Sequence, residues 1–113
     1  MIYLVTRHPG ALQWLRDQVD EPAIHLTHLD NPEFINAGDC VFGSLPVNKI
    51  AQLNRLGIRY LHLNIELPEN LRGQELSSEQ LRSMQACLRE FVVIEVASDE
   101  ALLLQAQNHE AGI

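Results

Sequence analysis

Positive charge is scarce in this chain. Eight Lys and Arg stand against fifteen Asp and Glu over 113 residues, a formal net charge of −7. Binding long DNA or RNA requires many cations to displace condensed counterions, so that class of ligand is not expected. A small anion stays compatible with the balance, because only the local field at its site matters. Seven of the cations are arginines and Lys49 is the one lysine; the planar guanidinium fork suits phosphate. Cysteine is equally sparse. Cys40 sits in a strand-like run and Cys87 in a helical one, without a CxxC spacing, which reads as two reduced thiols in a cytoplasmic protein. The amino terminus has neither a basic region nor an apolar stretch of signal-peptide form, and no segment approaches the roughly 20 apolar residues of a membrane span. A GxxxxGK[ST] phosphate loop is missing too, so triphosphate hydrolysis is not expected. No repeat, low-complexity tract or linker divides the chain.

What remains is 46% apolar and 20% charged, the balance of an ordinary globular domain with a real core. Residues 1–97 read as one Rossmann-like domain and residues 98–113 as a C-terminal helix and tail. Ile2 to Val5 is a continuous apolar run typical of a strand covered on both faces. Pro9 is placed for the first turn of a helix with Leu12, Leu15 and Val19 on its apolar stripe. Ala23 to Leu29 reads as a strand closed by Asp30-Asn31-Pro32, and Pro32 to Asn36 leaves room for a single helical turn. Cys40 to Gly43 is the third strand. Val47, Ile50, Ala51 and Asn54 share a helical face that Gly57 terminates. Arg59 to Leu67 alternates, with Tyr60, His62, Asn64 and Glu66 on a polar face that suggests an edge, an intersubunit surface or a wet site.

After the loop beginning at Pro68, Ser77 and Gln80 form a capping box. Leu81, Met84, Leu88 and Phe91 have the spacing of one helical stripe. Val92 to Val96 reads as the last strand, followed by a helix capped by Ser98-Asp99. The order β-α-β-β-α-β-α-β-α predicts a small three-layer α/β sandwich around a mostly parallel sheet of about five strands.

In such sheets ligands sit at the carboxyl ends of strands, which selects two strand-to-helix turns. In Thr6-Arg7-His8-Pro9-Gly10, a guanidinium and an imidazole at a helix start can grip a phosphate and manage its protons. In Gly43-Ser44-Leu45-Pro46-Val47-Asn48, Gly43 permits close backbone approach and Ser44 offers a hydroxyl, while the following helix points amides at the crevice. Arg72-Gly73-Gln74-Glu75 is a polar loop that either closes over a ligand or is simply solvated, and His62 is equally open. In His25-x-x-His28, strand positions three apart point to opposite faces, so the pair cannot easily share an ion. No metal and no cofactor are expected.

These segments, with Thr27-His28-Leu29-Asp30, Gly38-Asp39, Arg59-Tyr60-Leu61-His62-Leu63 and Arg72-Gly73-Gln74-Glu75-Leu76-Ser77, resemble the small CRISPR-associated proteins of type III systems. The likeness is to the Csx group, related in fold to CARF domains and counted among the ring nucleases, and spans roughly residues 1 to 92. The resemblance implies a homodimer that binds cyclic tetra-adenylate and cuts it without a metal, through attack of a ribose 2′-OH on the neighbouring phosphate. It nominates Arg7, His8 and Ser44 as catalytic. Arg7 and the amides after Ser44 would hold the phosphate, and His8 would assist proton transfer or stabilise the leaving oxygen. Ser44 and Asn48 would orient ribose or phosphate, and Arg72 would close the site. Thr6, Pro9, Gly10, Gly43, Leu45, Pro46 and Gly73 complete the expected ligand-binding set. Two other readings compete: a sponge that holds the same messenger uncut, and a structural subunit. The strand-then-Arg-His opening is similar to that of histidine phosphatases, but Pro9 stands where those have glycine.

Overall fold

Five segments of four to six residues become the strands of one sheet, and the amphipathic stretches between the parallel ones cross over its faces. The computed structural model describes residues 1–96. Its elements are β1 (Ile2–Val5), α1 (Pro9–Asp17), β2 (Ala23–Leu26), β3 (Cys40–Gly43), α2 (Val47–Arg55), β4 (Arg59–Asn64), α3 (Ser78–Ser83) and β5 (Cys87–Phe91). Single 3-10 turns at Pro32–Phe34 and Glu69–Leu71 lie between them. The sheet order is β2-β1-β3-β4-β5, parallel except for β5, which runs antiparallel to β4. The architecture is a small Rossmann-like α/β sandwich, as the sequence predicts.

Strand alternation sorts the core into two clusters. Tyr3, Val5, Val41 and Tyr60 face Ile50 and Leu53 of α2 on one side. Leu4, Phe42 and Leu63 face Trp14 and Leu15 of α1 and Leu81 of α3 on the other. β1 connects through α1 to β2 in one direction, while its neighbour β3 connects through α2 to β4 in the other. Crossovers of one hand leading opposite ways place their helices on opposite faces. They also part the chain at the carboxyl ends of β1 and β3, where a crevice opens.

Local signals are met where they were strongest. Ser77 Oγ accepts from the Gln80 amide and Gln80 Oε1 from the Ser77 amide, closing the capping box. Gly57, with φ of 78°, ends α2. Three expectations are corrected. First, the stripe Leu81, Met84, Leu88, Phe91 is not one helix. Gln85 turns left-handed, at φ of 55°, and the chain reverses into β5, so Cys87 is a strand residue. Leu88 still reaches the same apolar cluster, from the sheet rather than from a helix. Second, Val92 to Val96 forms no strand. Tyr60 pairs with Phe91, and β4 begins at Arg59, so the ladder has run out. Third, β4 is an inner strand that ends at Asn64, and Tyr60 on its supposed polar face is 0% exposed. The edge on this side is β5, clamped to β4 by a two-pronged Arg59–Glu90 pair at 3.0 and 2.7 Å. That pair raises the guanidinium's affinity for its proton and holds the Glu90 carboxyl below its usual range, chiefly through the hydrogen bond. The expected helix and tail at 98–113 lie outside the described residues. Among those described, no helix is long and apolar enough to cross a membrane.

Candidate functional site

The crevice at the parting of β1 and β3 is a cleft of about 560 Å³. Its walls are the chain leaving β1 (Thr6, Arg7, His8), the chain leaving β2 (Thr27 to Asp30), the β3–α2 turn (Ser44, Leu45, Pro46) with Lys49, and the loop before α3 (Gln74, Glu75, Leu76). Val5, Ala11, Leu63, Ile65 and Leu81 make the floor apolar. Two fixed cations, Arg7 and Lys49, face two carboxylates, Asp30 and Glu75. With that balance, an anion must be recognised by directed donors rather than by a bulk positive field.

The β1 exit is fixed from both sides. The Thr6 amide donates to the Leu26 carbonyl at 3.1 Å, and the Thr6 carbonyl lies 2.8 Å from His25 Nε2. His25 therefore serves as a strap between β1 and β2. Thr6 Oγ1 accepts from the His8 amide at 3.1 Å, and the His8 carbonyl accepts from Leu12 in the first turn of α1. Arg7 stands between these two restrained residues and is exposed. His8 Nδ1 lies 2.7 Å from Glu75 Oε1.

The β3 exit hangs on Tyr60. Its hydroxyl accepts from the Leu45 amide at 2.8 Å, donates to the Gly43 carbonyl at 3.0 Å, and lies 2.7 Å from His62 Nδ1. A hydroxyl has one proton to give and two acceptor sites, so all three contacts are met when His62 carries its proton on Nδ1. Burial pushes the Tyr60 phenol up to about 12 and lowers the His62 imidazole. Tyr60 is thus a neutral pin on the Gly43–Pro46 turn. Tyr60→Phe leaves a carbonyl and an amide without partners and should cost about 1–3 kcal/mol. Urea unfolding checks this, and a loss below about 0.5 kcal/mol, the range of neutral substitutions, would show that other groups hold the turn.

Of the residues nominated from sequence, Thr6, Arg7, His8, Ser44, Leu45 and Pro46 come together in the cleft. Pro9, Gly10, Gly43, Asn48, Arg72 and Gly73 are not among its lining residues. Gly10 and Gly43 are packing positions: a Cβ would meet the Leu76 carbonyl oxygen at 1.8 Å and the Val5 carbonyl oxygen at 2.6 Å, respectively. In the 72–76 loop, Gln74 and Glu75 rather than Arg72 border the cleft. Of the amides after Ser44, that of Leu45 donates to Tyr60, and Pro46 has no N–H. The amides without an intrahelical partner are those of Val47 and Asn48 in the first turn of α2.

Sequence reasoning did not place Thr27, Asp30 or Lys49 at the site, offers Gln74 and Glu75 only within a loop that either closes over a ligand or is solvated, and gives the His25–His28 pair no shared ion. β2 lies beside β1 in space, so its carboxyl end arrives at the crevice although no local motif marks it. The Lys49 ammonium donates to the Asp30 carbonyl at 3.3 Å, joining the β2 exit to α2. Among the described residues, no three His, Cys, Asp or Glu side chains converge as a metal-binding group.

The chain matches no curated protein and no solved structure. A family model does match, over residues 3–94, described as "Putative CRISPR-associated protein (Cas_VVA1548)". That span runs from β1 past β5 and contains every residue that lines the cleft, and the chain belongs to this CRISPR-associated family.

Proposed function

We propose that this protein is a ring nuclease that binds cyclic tetra-adenylate, the second messenger of type III CRISPR defence, and opens it to linear products. The reading rests on one observation: Arg7, His8 and Ser44 meet in a single cleft at the sheet's switch point, in a chain of a CRISPR-associated family. The cleft's two-sided character supports it, since hydroxyl and guanidinium donors stand above an apolar floor suited to a nucleobase. The ligand repeats four times around a ring, so a two-fold homodimer would present two copies of the cleft to two of its phosphates.

In the proposed step the ribose 2′-oxygen attacks its own 3′-phosphorus. The bond from phosphorus to the neighbouring 5′-oxygen breaks, leaving a 2′,3′-cyclic phosphate and a 5′-hydroxyl. The 2′-OH proton is lost and the 5′-oxygen gains one, so no water is consumed and no metal is required by the chemistry. Arg7 neutralises charge developing on the non-bridging oxygens. The Ser44 hydroxyl holds the phosphate for in-line attack. His8 Nε2 carries the proton.

Incubating excess cyclic tetra-adenylate with the protein in EDTA, and resolving products by mass spectrometry, tests this. Linear species ending in a 2′,3′-cyclic phosphate are the expected result. Stoichiometric depletion without products would make the protein a messenger sponge, and absence of binding by calorimetry would remove the ligand altogether.

A further inference from the structure

Glu75 has no place in the phosphate-holding scheme, yet its carboxylate is the one polar partner of the His8 ring among the described residues. An ionised carboxylate only accepts, so at 2.7 Å the hydrogen must belong to His8 Nδ1. The other ring nitrogen, Nε2, is then the one left to exchange protons with the cleft. The juxtaposition does not depend on the ion pair itself. The amide and carbonyl of His8 are held by Thr6 Oγ1 and the Leu12 amide. Gly10 lies flush against the Leu76 carbonyl, where any Cβ would collide. The capping box at Ser77 starts α3 two residues after Glu75. Both backbones are therefore fixed before the side chains meet.

We propose that Glu75 is a positioning residue: it selects the Nδ1–H form of His8 and aims Nε2 into the cleft, making a carboxylate–imidazole dyad. The inference deepens the ring-cleavage reading and rests on it for the identity of the proton transfer. The other charged or titratable groups bordering the cleft are Arg7, His28, Asp30 and Lys49; among the described residues, none is hydrogen-bonded to the His8 ring. The side chains of His8 and Glu75 are 48% and 68% exposed, and exposed pairs contribute little stability, so variants at Glu75 fold.

The experiment has two arms. Ring ¹⁵N correlation spectra of the uniformly labelled protein, without ligand and at about pH 8, well above the ordinary imidazole value of ~6.5, report which nitrogen of neutral His8 is protonated. Steady-state cleavage of cyclic tetra-adenylate gives kcat and KM. The wild type should show the Nδ1–H form, and Glu75→Ala should revert largely to Nε2–H. Glu75→Ala should also lower kcat about tenfold, below the usual contribution of general acid–base catalysis, with KM within about twofold. Glu75→Gln, whose amide oxygen can accept the same hydrogen bond, should restore the tautomer and most of kcat. An unchanged His8 tautomer in Glu75→Ala, or a loss confined to KM, overturns the dyad. A tautomer that shifts in a protein with no turnover keeps Glu75 as the positioning residue and removes the ring-cleavage reading instead.

Discussion

Gly10→Ala should destabilise the protein by about 3 kcal/mol, at the upper end of what overpacking costs. The added Cβ would stand 1.8 Å from the Leu76 carbonyl oxygen and 2.9 Å from its carbon, whereas ordinary contact begins near 3.4 Å. The obstacle is backbone, so no rotamer change relieves it; α1 and the loop before α3 must separate. Helices α1 and α3 also share the cluster of Trp14, Leu15 and Leu81, and separation would loosen that packing as well. For a domain of this size, 3 kcal/mol corresponds to a fall in Tm of roughly 10–20 °C. Gly38→Ala is the matched control. Gly38 has φ of +92° but nothing within 4 Å of a new Cβ, so it meets backbone strain alone, about 1–2 kcal/mol. Equal losses at the two sites would mean that the Gly10 contact relaxes freely and that α1 does not hold the loop.

The same contact shows where sequence reading stops. The strands β1 and β3, the turns behind them, the capping box at Ser77 and the stop at Gly57 are each written within a few residues, and local chemistry decides them. Half of the proposed site, Thr6 to His8 and Ser44 to Pro46, was legible for that reason. The rest depends on which strands are neighbours. Thr27, His28 and Asp30 reach the cleft, and meet Lys49 there, because β2 pairs with β1, a relation that no one segment encodes. Tyr60 misled for a related reason. Alternation put it on a polar face, but its hydroxyl has a carbonyl and an amide to bond, so it is satisfied in full burial. The reversal at Gln85 defeated a helical period because Leu81 and Leu88 reach one apolar cluster from different elements. Glu75 was visible only as part of a polar loop, and its significance comes from the 2.7 Å approach of a residue 67 positions earlier.

Arg7→Ala should abolish most ring cleavage while leaving the fold untouched. Arg7 is exposed just past the carboxyl end of the inner strand β1, and exposed substitutions away from packed features usually change stability by less than about 0.5 kcal/mol. In the proposed step its guanidinium meets charge that grows on the phosphate oxygens as the 2′-oxygen attacks. Removing one such donor typically costs about 10²–10³-fold in kcat, and that is the loss expected, read as initial rates of linear product at saturating messenger. Arg7→Lys should recover only part of it, because an ammonium keeps the charge but not the two-pronged geometry. Lys49→Ala makes the informative comparison. Lys49 is the cleft's other cation, but its ammonium is already engaged with the Asp30 carbonyl at 3.3 Å, so its loss should weaken binding more than turnover. If Arg7→Ala cleaves at the wild-type rate and Lys49→Ala does not, the reacting phosphate sits on the β2–α2 side of the cleft.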